Sequence, residues 1–222
     1  LPPLLQRIMG FPTVTTGLVL APRGIGTMVA MLLVGRLLRF IDPRLIIVVG
    51  LGFTAWGLWG MTGFTAEMDS WPIIHTGISM GFGLGLVFVP MSTVGFATLP
   101  PELRTESAAL FSLVRNIGSS IGISMVSVVL TRNIQVNHAE LAERMTVFSP
   151  SVDAAAQAVG MSAGSGPFAA VLDQITTLQA TMIAYVDDFQ LMMYVSIAAL
   201  PLVLLLRKPK TAPQGPITPE AD

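Results

Sequence analysis

The chain has 222 residues, 52% of them hydrophobic and 11% charged, with a net charge of −1 and a mean hydropathy of +0.72. Soluble domains carry about 25% charged residues, so lipid is the solvent for much of this chain. Near-neutral charge without a basic patch excludes a nucleic-acid partner. The absence of Cys excludes disulfides and thiolate chemistry, and the two distant histidines, His75 and His138, make no metal site. No cofactor is expected.

Residues 1–13 ("LPPLLQRIMGFPT") read as the exit of a preceding helix and a loop. The chain starts at Leu1 with no signal-peptide pattern, which reads as a fragment of a longer protein. Five apolar runs then approach the roughly 20 residues that a membrane-spanning helix needs, at about 14–37, 45–63, 73–98, 107–131 and 188–207. Pro72 after Ser70 marks a helix start, and Pro100-Pro101 marks a stop. The fold class is therefore an all-α membrane bundle of about five transmembrane helices.

The segment 132–187 is the longest polar stretch, a loop with two helical faces of its own. Ile134, Leu141, Met145 and Phe148 follow one, and Phe168, Leu172, Ile175, Leu178, Met182 and Val186 the other. A sixth span there would put Asp173, Gln174 and Gln179 in lipid, so the second stretch is read as an amphipathic interfacial helix leading into the last span. Residues 208–222 form a polar tail expected to be disordered.

Lys and Arg set the orientation. The 36–44 loop, the 99–106 loop and the 207–210 segment carry seven basic residues; the other side carries Arg7, Arg132 and Arg144. This asymmetry predicts a cytoplasmic C-terminus and an outer 132–187 loop.

Enzyme motifs are absent: no G-x-S-x-G, no H-E-x-x-H and no phosphate-binding glycine loop. Asp187 and Asp188 sit at the end of the long loop, where capping and solvation are the expected roles. The ionisable residues read at depth are Arg23 and Arg115, each about 12–15 Å inside its span at 1.5 Å per residue. A midplane arginine either bonds carbonyls of a neighbouring helix or lines a cavity that meets substrate, carboxylate or water. Asn116, beside Arg115, joins the candidates.

Gly77, Gly81 and Gly85 recur at every fourth position, and Gly118 and Gly122 repeat that spacing, which lets helices approach closely in lipid. Pro22, Pro90 and Pro201 interrupt three spans, each freeing a backbone carbonyl.

Three segments carry a family resemblance. "GRLLRFIDPR" resembles the cytoplasmic loop that major facilitator superfamily transporters place after the second helix of each half. "LAPRGIGTMVAMLLVGRLL" and "FSLVRNIGSSIGISMVSVVLTR" look like helices of the EmrB/QacA group of fourteen-span drug:proton antiporters. The resemblance covers nearly the whole chain, as most of the C-terminal half of the major facilitator fold, and it puts 132–187 at the long outer loop before the final span. One departure stands out. The family loop usually has an Asp shortly after its Gly, whereas here Leu or Arg follows and Asp42 arrives later.

The resemblance implies proton-coupled export of small amphipathic compounds by alternating access, from the bacterial plasma (inner) membrane. Its proton-coupling acids belong to an N-terminal half outside this chain. Arg23, Arg115 and Asn116 would line or brace the cavity. Gly35, Arg36, Arg39, Asp42 and Arg44 would form the cytoplasmic gate loop, and Met80, Phe82, Phe88 and Met91 an adaptable apolar wall. The implied partners are the lipid bilayer, the other transporter half, substrate and protons, with an outer adaptor (membrane fusion) protein docking on 132–187 as in some members. Two other readings stay open from the residues: a same-fold facilitator for another solute, and a non-transporting membrane scaffold or sensor.

Overall fold

A computed structural model describes residues 1–96, 104–144 and 165–205, together with Val152, Ala154, Ala156, Gly160 and Ser162. The described residues form six helices: α1 (Pro2–Arg7), α2 (Thr13–Leu37), α3 (Pro43–Met61), α4 (Ser70–Phe96), α5 (Arg104–Arg144) and α6 (Gly166–Leu204). The last five are long and apolar enough to cross a membrane.

Local chemistry explains the starts. The Thr16 hydroxyl donates to the Pro12 carbonyl (3.1 Å), tying the first turn of α2 to its entry. Asp42 caps α3, its carboxylate accepting from the Arg44 backbone N–H at 3.3 Å, and Pro43 follows with its φ already helical. Pro22, Pro90 and Pro201 lie inside α2, α4 and α6 without ending them.

The first three spans match the expected runs to within three residues where they are described; the last two are longer. The expected boundary at 131 is passed, and α5 continues to Arg144. The helix expected to begin at 188 begins at Gly166, so 166–187 and the last apolar run form one helix. Nothing within 132–144 or 168–187 breaks a helix, and Gly166-Pro167 opens α6, with the proline in its first turn where no backbone donor is needed. At 1.5 Å per residue, α5 and α6 are each about 60 Å long, twice a hydrocarbon core of about 30 Å. Their polar segments must therefore project beyond it, and they do so as a pair: His138 Nε2 on α5 lies 3.1 Å from Asp173 Oδ1 on α6. Met145 and Phe148, the 99–103 segment and the tail from 206 lie outside the described residues.

α4 runs between α2 and α3 and packs along both, α6 packs against α3, and α5 packs against α6. Two apolar clusters hold the ends together. In one, Leu4 and Leu5 of α1 are fully buried among Val19, Leu58, Met61, Phe64, Ile73 and Phe189. In the other, Ala30 and Val34 meet Ile46 and Leu86. Between the clusters the helices approach through small residues.

The buried stripe of α6 differs from the large apolar face expected. Phe168 and Met182 are buried, but Ile175 is 51% exposed, and the regular stripe is Thr176, Ala180, Ala184 and Asp188. Small side chains along this stripe let α6 lie close to the helices it packs against.

Candidate substrate cavity and helix junctions

The α2–α4–α3 layer is built on glycine. A Cβ on Gly85 would stand 2.6 Å from Ala30 Cβ, and one on Gly26 would stand 2.6 Å from the Ile78 carbonyl oxygen. A Cβ on Gly81 would run into the Arg23 carbonyl, and one on Gly83 into the Thr54 hydroxyl and the Gly50 carbonyl. Thr27 Oγ1 bridges the first junction, 3.1 Å from Arg23 O and 2.9 Å from Gly81 O, with one proton to donate between them. Ser79 bridges the second, its hydroxyl donating to Phe53 O at 3.1 Å. Such hydroxyls join helices where no water competes.

Of the glycines expected to pack, Gly81 and Gly85 sit at tight approaches. Gly77 makes only an ordinary contact, 3.8 Å from Arg23 Cβ. Gly118 and Gly122 have nothing within 4 Å among the described residues. α5 presents its apolar window outward, with none of it buried. The expectation missed Gly26, Gly50, Gly57 and Gly83. The signal was present in α3, where Gly50, Thr54, Gly57 and Met61 share one buried face.

Arg23 is half-buried on α2, and its main effect on packing runs through its carbonyl at the Gly81 approach. Arg115 is exposed on α5, its guanidinium 5.2 Å from the Phe88 ring centroid; that aromatic face is a partner the sequence reading did not consider. Asn116 is exposed, and its carbonyl accepts from Ser119 Oγ at 2.9 Å. Within the loop, Gly35 is open, Arg36 and Arg39 are exposed, and Asp42 caps α3. Arg44 Nε and Nη2 are buried without a hydrogen-bond partner among the described residues.

A cavity of about 730 Å³ lies among α3, α4, α5 and α6, lined by Leu58, Met80, Met125, Met192, Thr54 and Ser196 with their neighbours. Its size falls within the roughly 300–1,000 Å³ of small-molecule sites. Gly122 borders it, so the absent side chain widens the space rather than seating a helix. Arg23, Arg115 and Asn116 do not line it, and of the expected apolar wall only Met80 does. Phe82 instead packs edge-on against Phe53 at 5.2 Å, and Met91 is exposed.

Thioethers give the cavity walls that adapt to irregular apolar shapes. Two of its hydroxyls are committed as donors, Thr54 to Gly50 O (3.0 Å) and Ser196 to Met192 O (2.9 Å), and their oxygens retain acceptor capacity for a cargo that donates hydrogen bonds. Among the described residues, no group of three His, Asp or Glu side chains could hold a metal.

The sequence model of the Major Facilitator Superfamily matches residues 1–123, more than half of the chain. The chain belongs to the Major Facilitator Superfamily. As a superfamily member it is an integral membrane protein of a transporter family rather than an enzyme family, as the resemblance read from its sequence anticipated. It is 34% identical over 143 residues to a multidrug resistance protein B homolog of Mycobacterium tuberculosis, covering 64% of this chain and 26% of that protein. It is 27% identical over 216 residues to the probable multidrug resistance protein EmrY of Escherichia coli, covering 96% of this chain and 42% of the relative. It is 26% identical over 210 residues to the fatty acid resistance protein FarB of Neisseria gonorrhoeae, covering 94% and 41%. The superfamily chain thus spans less than half the length of these relatives.

Proposed function

We propose that this chain is the C-terminal bundle of a proton-coupled exporter of amphipathic compounds, working by alternating access in a bacterial plasma membrane. The observation that carries the reading is the apolar, methionine-walled cavity among four helices of a superfamily bundle. The relatives named for multidrug and fatty acid resistance support the cargo class, a fatty acid being itself amphipathic. In this reading the cavity takes that apolar part, and Thr54, Ser124 and Ser196 accept hydrogen bonds from its polar end. The projecting ends of α5 and α6 lie outside, where an adaptor protein can dock, and the 38–42 turn faces the cytoplasm with Arg36, Arg39 and Arg44.

The test uses the full-length gene product in a bacterial strain stripped of its own efflux pumps. Cells expressing it should accumulate less of a lipophilic dye, and an uncoupler should abolish the difference. Val195→Asp, which places a charge in the cavity wall, should abolish export at unchanged protein level. Equal accumulation with and without the wild-type protein would overturn the reading.

A further inference from the structure

Asp188 does not behave as the loop-end, solvated residue its position in the sequence suggested. It lies inside α6, twenty-two residues after the helix begins, and is 3% exposed. Its Oδ1 has no hydrogen-bond partner among the described residues. The residues around it on α6, Tyr185, Phe189 and Met192, belong to the same apolar cluster as Leu4, Leu58 and Met61. The Phe189 ring meets the Phe64 ring at 6.1 Å, which sets Asp188 at the level of the α3–α4 turn. Measured along the helix it stands about 24 Å from Leu204, toward the far edge of a hydrocarbon core of about 30 Å.

A carboxylate in such surroundings must be paired, or neutralised by a proton. The charged groups facing it are few. The side chains that α1 buries in this cluster, Leu4 and Leu5, carry no charge. Tyr185, one turn earlier on α6, feels both Asp188 and Arg7 of α1. The side chains that α3 and α4 bring to this cluster, Leu58, Met61, Phe64 and Ile73, carry no charge.

Tyr185 is half-buried. It lines a cavity of about 700 Å³ between α1, α5 and α6 whose polar walls are Arg7, Asp173, Gln174, Thr177 and Thr181. Asp188 is therefore one helical turn from a residue that opens onto a cavity with polar groups in its wall, yet is itself buried in an apolar cluster. We propose that Asp188 is a proton-binding site of this bundle, exchanging its proton with solvent through the cavity that Tyr185 lines. The inference does not rest on the export reading, since it concerns a protonation that the protein undergoes with or without cargo.

Infrared difference spectroscopy of the full-length protein in liposomes tests it, because a protonated carboxyl group has a carbonyl-stretch band that a carboxylate lacks. A pH titration should produce such a band in the wild type and in Asp187→Asn, and the band should be missing in Asp188→Asn. Where Asp188→Asn fails to fold, Asp188→Glu decides: it should move the band to a new frequency. Tyr185→Phe should keep the band but slow its shift on transfer to heavy water. The same band in Asp188→Asn, an unmoved band in Asp188→Glu, or heavy-water exchange unaffected in Tyr185→Phe would overturn the proposal.

Discussion

The guanidinium carbon of Arg115 lies 5.2 Å from the centre of the Phe88 ring, so the charge of α5 rests on the aromatic face of α4. Contact between these two helices is otherwise sparse. A cation over a ring is attracted by about 0.5–1 kcal/mol when exposed and about 2 kcal/mol when desolvated. A moving α5 could make or break a tie of that size without unfolding anything.

Arg115 should therefore matter more for export than for folding. In the full-length protein, Arg115→Ala is expected to abolish dye export while leaving membrane protein level largely intact. Arg115→Lys should rescue only in part, because an ammonium lacks the planar face of the guanidinium. Phe88→Leu should mimic the Ala variant in weaker form, and Phe88→Trp should retain export. Immunoblots beside efflux rates decide between this role and a purely structural one; loss of the protein itself would favour the latter.

The α3–α4 junction predicts a sharp contrast between two glycines. Gly83→Ala forces a methyl against Thr54 and the Gly50 backbone, whereas Gly52 has nothing within 4 Å. Overpacking of this kind costs about 1–3 kcal/mol. Thermal unfolding in detergent should show a clear loss of Tm for Gly83→Ala and none for Gly52→Ala.

The Thr27 bridge gives a milder case. Thr27→Val keeps the shape and removes the donor shared between Arg23 O and Gly81 O. Polar contacts between membrane helices contribute about 0.6–1.7 kcal/mol, and that is the expected loss of stability. Thr27→Ser should recover most of it in the same melting experiment.

Orientation can be read with two introduced thiols, since the chain has no Cys. Phe40 in the α2–α3 turn and Thr65 in the α3–α4 turn are both exposed and lie at opposite ends of α3. In intact cells an impermeant thiol reagent should label Thr65→Cys and spare Phe40→Cys. The opposite pattern would invert the proposed topology.

Much of the architecture was legible in the chain because it depends on local properties. Apolar runs of about 20 residues announce spans whatever they pack against. Asp42-Pro43 starts α3 by capping and by a preset φ, again without help from neighbours. The arginine-rich loop and the Arg115-Asn116-Ile117-Gly118 run were enough to suggest the superfamily. The helical faces within 132–187 were legible as well; spacing alone did not show that they continue the fourth and last spans without a break, because polarity changes the solvent around a helix without interrupting its backbone.

Which faces meet was decided by the tertiary structure alone. Gly81-x-x-x-Gly85 and Gly118-x-x-x-Gly122 are indistinguishable as spacing, yet the first pair is pressed against α2 and the second stands open. Asp187 and Asp188 are neighbours of identical chemistry, yet the 100° between them on a helix buries Asp188 in an apolar cluster and leaves Asp187 partly exposed. Spacing along one helix specifies a stripe, but the partner helix and its crossing point select which stripe is buried, and those are properties of the assembled bundle.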